Sequence, residues 1–114
     1  MTNRNKQKGT RFEVLVRDFL RASGFPDVFR LAQTGIDDEG DLHGHDIRDW
    51  GVECRDRKQI SLAENIEDAK SRAACKGSKY GVAVIKRRGR PVQDSYVLMD
   101  LETWVRVLKE LSGE

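Results

Sequence analysis

The spacing of apolar residues along this 114-residue chain predicts an α/β domain, a central mixed five-stranded sheet flanked by helices in the order αβββαββα. Three observations carry that prediction. Apolar residues recur at three- and four-residue intervals near both ends and in the middle of the chain, as on one face of a helix. Gly81-Val82-Ala83-Val84-Ile85 is the most continuously apolar run, the pattern of a central strand covered on both faces. Val52-Glu53-Cys54-Arg55 alternates with period two, as in a strand that presents Glu53 and Arg55 on one face and buries Val52 and Cys54 on the other.

From Thr10 to Ala22, Phe12, Leu15, Val16, Phe19 and Leu20 mark the stripe of a first helix, which Ser23-Gly24 ends. Glu13 lies next to that stripe, where position alone favours pairing with Arg17 at i+4 over reaching across a cleft. Val28 to Ala32 reads as a strand and Gln33-Thr34-Gly35 as a polar loop. Ile36 to Gly40 is an acidic connection to Asp41, which starts a second short strand broken at Gly44. Asp49-Trp50-Gly51 reads as a hairpin turn into the Val52–Arg55 strand. Ser61 and Glu64 have the spacing of a capping box for a second helix, with Leu62, Ile66, Ala69 and Ala73 on its apolar stripe and its end near Lys76-Gly77. After the Gly81–Ile85 strand, Lys86 to Pro91 forms a basic loop, Ser95 to Met99 a last strand, and Leu101 to Leu111 a final helix capped by Asp100 or Thr103. Its stripe holds Leu101, Trp104, Val105, Leu108 and Leu111, so Trp104 is expected in the core or at an interface, and Trp50 over the hairpin or a dimer contact.

A chain of this length supports one modest core, so residues 1–114 are expected to form a single domain, with 1–8 a flexible basic arm. No apolar run approaches the roughly 20 residues that span a bilayer, and the polar N-terminus has no secretory apolar stretch, which makes cytoplasmic residence the default expectation. Cys54 and Cys75 are too few for a disulfide framework and are expected as buried, reduced thiols. His43 and His45, followed by Asp46, have no second cluster to complete a transition-metal site. The net charge is only +2, but the cations are clustered: Arg4, Lys6, Lys8 and Arg11 precede any acid, and Lys86, Arg87, Arg88 and Arg90 form a second group. Such patches are the footprint of a polyanion binder, with phosphate contacts outside the chemistry.

The chemistry is concentrated between Gly40 and Lys58. Phosphodiester hydrolysis requires an activated water, neutralisation of the scissile phosphate and help for the leaving oxygen, all of which a carboxylate-held divalent ion supplies. Mg²⁺ needs only a few hard oxygen ligands because it keeps several waters. Asp41 on one strand and Glu53 on the next are placed to converge, and Glu13 on the first helix can add a third carboxylate. Arg55 shares a strand face with Glu53 and, being always protonated, serves as an electrostatic clamp and not as a base. Asp56-Arg57-Lys58 offers an alternative acid-x-lysine register, which requires a bulge near Arg55 or Asp56 to face the cleft.

Lys8-Gly9-Thr10 with Glu13, Gly40-Asp41, Val52-Glu53-Cys54-Arg55, the Ser61-Leu62 helix start and the valine-rich strand leading to Lys86 resemble, in order and spacing, the PD-(D/E)XK nuclease superfamily. Within it the likeness is to the small Holliday junction resolvases of archaea and phages, and it covers Lys6 to Leu108. The resemblance implies a restriction-endonuclease-like fold, Mg²⁺ or Mn²⁺ dependence, a homodimer and paired cuts in branched DNA. It implies Glu13, Asp41 and Glu53 as the metal-site acids and places Arg55 where the family has lysine. Thr34 matches a loop hydroxyl that contacts the scissile phosphate in similar resolvases. Lys6, Lys8, Arg11, Lys58 and the Lys86–Arg90 cluster would hold DNA. Other targets, such as duplex or flap DNA, or a catalytically weak DNA-binding module, remain open alternatives.

Overall fold

The computed structural model describes residues 4–31 and 41–113, with the side chains of residues 4–8 outside the description. Three α-helices and a mixed five-stranded sheet run in the expected order: α1 (Arg4–Ala22), β1 (Phe29–Arg30), β2 (Leu42–His43), β3 (Trp50–Arg55), α2 (Leu62–Lys76), β4 (Tyr80–Ile85), β5 (Tyr96–Leu98) and α3 (Leu101–Leu111). Spatial order in the sheet follows chain order. Only β3 and β4 are parallel, as their connection through α2 requires; the other neighbours are antiparallel.

Helices cover both faces of the sheet. On one, Phe12 and Val16 of α1 pack with Val28, Leu42, Val52, Cys54, Val82 and Val84. On the other, Ala69 of α2 packs with Ala83 and Ile85. All of β4 is buried, as its unbroken apolar run predicts. The approach of α2 is unusually close: a Cβ at Gly51 would lie 2.6 Å from Ala73 Cα, and one at Gly81 2.5 Å from the Ala69 carbonyl oxygen. Alanines on the helix and glycines on the paired strands make one complementary surface, since Gly51 and Gly81 are in register.

Several expectations are corrected. The first helix begins at Arg4 and not at Thr10, so the backbone expected as an arm is helical from there. Leu15 and Phe19 of its stripe are exposed while Phe12 and Val16 are buried. The turn before β3 ends at Asp49 and does not include Trp50-Gly51: the 3-10 turn His45–Ile47 continues through Arg48 and Asp49, and Trp50 already pairs with Tyr80 in the sheet, their ring centres 4.8 Å apart. Packing the partly buried Trp50 ring against the buried Tyr80 favours the strand at this position. Ser61 precedes α2 without a side-chain cap bond, whereas Asp100 caps α3 by accepting from the Thr103 N–H at 2.9 Å. Cys54 is buried but Cys75 is exposed; both are free thiols.

The largest departure concerns α3. Its apolar stripe faces solvent, with Leu101 71%, Trp104 50% and Leu111 80% exposed. The helix is held instead by polar contacts: Lys70 to Asp100 at 2.9 Å, Arg106 to the Lys79 carbonyl at 2.9 Å, and Glu110 to both Tyr80 and Lys79. Tyr96 and Val97 on the edge strand β5 are exposed as well. Among the described residues no helix is long and apolar enough to cross a membrane.

Candidate active site

The antiparallel step from β2 to β3 sets Asp41 beside the C-terminal end of β3. The Asp41 N–H donates to the Val52 carbonyl at 2.8 Å, and its Oδ2 accepts from the Cys54 N–H at 2.6 Å. The carboxylate is thereby fixed beside the strand that carries Glu53 and Arg55. Glu53 points to the α2 side of the sheet and, contrary to the strand-face expectation, is not presented to solvent: it is 1% exposed. That burial is sustained by two guanidinium groups, Arg55 Nη1 at 2.7 Å from Oε2 and Arg72 Nε at 3.1 Å from Oε1. A carboxylate this deeply buried requires such pairing.

Arg55 is the hub. Besides Glu53, its Nη1 lies 3.8 Å from Asp41 Oδ2 and its Nη2 3.5 Å from Asp68 Oδ2 on α2. Burial alone would lower its pKa, but Glu53, Asp41 and Asp68 together raise it, so Arg55 stays a cation throughout.

Glu13 completes the group from the opposite face. It is buried, and it pairs with Arg30 Nε at 3.1 Å, while Arg17, its expected partner, pairs with Asp18. Burial and the charge of Asp41 raise its pKa against the opposing pull of Arg30 and Arg55. The thiol between these groups registers the same convergence: burial, then Asp41, Glu13 and Glu53, hold Cys54 protonated far above the usual range, which excludes it as a nucleophile. Asp41, just before β2, and Glu53 and Arg55 of β3 therefore come together at the carboxyl end of the parallel strand pair, the usual place for ligands in open α/β sheets, while Glu13 of α1 is held by Arg30 and feels the charges of Asp41 and Arg55.

The donor set fits Mg²⁺ or Mn²⁺ in kind. One nitrogen of Arg55 lies between Asp41 and Glu53, so their oxygens face a shared cation position, and Mg²⁺ is commonly held by one or two carboxylates with water and phosphate completing the shell. In this arrangement a guanidinium holds that position. Among the described residues no three His, Cys, Asp or Glu groups are gathered closely enough to hold an ion, and His43 and His45 are apart in role: His43 is buried against Phe29, and His45 is exposed beside Arg48.

The alternative acid-x-lysine register does not reach this cluster. β3 ends at Arg55; Asp56 turns toward the basic loop, where it meets Lys86 at 3.7 Å and Arg88 at 3.2 Å, and Lys58 is exposed. The other cations of that loop also have partners: Arg87 lies over the Tyr96 ring and Arg90 pairs with Asp94. Arg11 is exposed on α1. Thr34 and the side chains of Lys6 and Lys8 lie outside the described residues.

Sequence reasoning missed Arg30, Asp68 and Arg72. A signal for the last two exists: they are four residues apart on α2 and flank Ala69 and Ala73, the small residues that let this helix lie against the sheet. Long charged side chains beside such a contact are carried to the strand it touches. No protein-family profile, no curated protein and no solved structure matches this chain.

Proposed function

We propose that this protein is a metal-dependent DNA endonuclease of the PD-(D/E)XK type with a restriction-endonuclease-like fold, acting on branched DNA as a homodimer. The observation that carries the reading is the meeting of Asp41 and Glu53 at one nitrogen of Arg55 at the end of β3. Asp41 and Glu53 would hold the ion, and Glu13 adds to the negative field around them. When bound, a divalent ion supplies neutralisation of the scissile phosphate and a lowered pKa for the attacking water. Arg55 donates hydrogen bonds to phosphate oxygens and takes no proton. The exposed Arg88, Arg90 and Lys58 contribute backbone contacts, which makes DNA affinity fall as salt rises.

The assay is cleavage of an end-labelled four-way junction with Mg²⁺ or Mn²⁺, alongside flap and linear duplex. Paired nicks across the junction are expected, and equal cutting of duplex would replace the branched target with a general one. No cutting of any substrate with either metal would overturn the nuclease reading. The pairing of Glu53 with two arginines supports a second reading, a DNA-binding module with little turnover. Strong cleavage gained by Arg55→Lys from an inert parent would select it.

The homodimer is supported by the outward apolar stripe of α3, a patch on which a two-fold axis can place two identical faces. Trp104→Asp is expected to convert a dimer to a monomer in sedimentation equilibrium with an unchanged far-ultraviolet dichroism spectrum. A wild-type monomer at high protein concentration would refute the dimer.

A further inference from the structure

We propose that Arg55 is an internal counter-cation that competes with a divalent ion for Asp41 and Glu53, so that the site takes up metal when a DNA phosphate draws the guanidinium away. The inference rests on the nuclease reading for the identity of the polyanion, but the competition itself is a property of the apo-protein. One Arg55 nitrogen lies 2.7 Å from Glu53 Oε2 and 3.8 Å from Asp41 Oδ2, the two oxygens a shared cation would have to take. Two cations cannot share that position, because each would be left beside the other's charge with its own ligands divided.

The geometry also provides the way out. The second nitrogen of Arg55 already reaches Asp68 at 3.5 Å, and Asp68 has 41% of its side-chain surface exposed against 18% for Arg55. Asp68 therefore anchors the arginine from the rim of the site, on the route along which its head would leave toward a bound phosphate. Arg72 stays on the other oxygen of Glu53 and keeps that buried carboxylate paired when Arg55 moves. Guanidinium prefers phosphate as a two-pronged partner, so DNA offers Arg55 an acceptor as good as the one it gives up.

The consequence is reciprocal coupling: DNA raises metal affinity, and metal raises DNA affinity by the same factor. The test is Mn²⁺ binding to the intact chain, read by the electron paramagnetic resonance of free Mn²⁺ without DNA. Arg55→Ala is expected to tighten Mn²⁺ binding at least about fivefold, the lower end of ordinary coupling between two binding events. Lys86→Ala removes an equal charge bound to Asp56 and is expected to leave Mn²⁺ affinity within twofold. With a short duplex and Ca²⁺ in place of Mn²⁺, metal affinity read by isothermal titration calorimetry is expected to rise more in the wild type than in Arg55→Ala.

Equal or weaker Mn²⁺ binding by Arg55→Ala, or a gain in Lys86→Ala as large as that in Arg55→Ala, would each overturn the competition. Should Arg55→Ala fail to fold, Arg55→Gln, which loses the charge and keeps a polar side chain, is compared with Lys86→Ala by the same criteria. Cleavage by the wild type separates the two proposals: tighter Mn²⁺ binding in Arg55→Ala with no cutting of any DNA by the wild type refutes the nuclease and leaves the competition standing, and wild-type cutting with unchanged Mn²⁺ affinity in Arg55→Ala does the reverse.

Discussion

Glu53→Gln is expected to lower junction cleavage by more than about 100-fold, the upper end of what loss of an outer-shell partner costs a metal site. The change is nearly isosteric and keeps one carbonyl oxygen as an acceptor, so it removes the charge on which the proposed metal affinity depends and little volume. Stability should fall by less than the roughly 3–5 kcal/mol typical of breaking a fully buried ion pair, because Arg55 and Arg72 keep 18% and 30% of their side-chain surface in solvent. Metal-free binding to a labelled junction is expected to persist, since the exposed cations proposed to meet the backbone are untouched. Asp41→Asn should behave in the same way, with its remaining oxygen still able to accept from the Cys54 N–H. Cleavage at the wild-type rate by either variant would remove these residues from the site.

Gly81→Ala is expected to be the most damaging small substitution in the fold. Its new methyl would lie 2.5 Å from the Ala69 carbonyl oxygen, 2.6 Å from the Ala69 carbonyl carbon and 2.8 Å from the Lys70 nitrogen, all backbone atoms that no rotamer change can move. The whole of α2 must lift from the sheet, and overpacking of this kind costs about 1–3 kcal/mol, occasionally more. For a domain near this size each kcal/mol lowers the melting temperature by about 4–8 °C, so a fall of several degrees is expected in a thermal melt. Gly51→Ala meets Ala73 in the same way and should act similarly. Because Gly51 and Gly81 are paired in register under one helix, the first methyl makes room for the second, and the double variant should lose less than the sum of the two. A Gly81→Ala protein that melts like the wild type would show that the α2–sheet contact is not close. Since α2 carries Asp68 and Arg72, lifting it should also loosen Arg55 and Glu53, which links this stability change to the site.

The patterns that were legible in the chain are those fixed by local physics. Unbroken apolarity in Gly81–Ile85 means burial on both faces wherever the strand lies, and it is the centre of β4. Period two in Val52–Arg55 puts Glu53 and Arg55 on one face, and the two side chains meet at 2.7 Å. Helical spacing located α2 and α3, and Asp100 caps the latter. Spacing of this kind states that an apolar face exists and does not state what covers it. The stripe of α1 is half buried and that of α3 faces solvent, because burial depends on which other elements arrive there.

Glu53 marks the same boundary at the site. Its residue type, its strand and its neighbour Arg55 follow from the chain alone, as does the proximity of an Asp41 strand next door. Its burial, and its hold by Arg72 from a helix nineteen positions further along the chain, follow from the closeness of α2 that Gly51 and Gly81 permit. The release of Glu13 from Arg17 to Arg30 likewise depends on where β1 passes α1. Residue chemistry and short-range periodicity are properties of the chain; the partner each charge finds is a property of long-range packing, where desolvation makes an unpaired carboxylate too costly and selects whichever guanidinium the fold brings within reach.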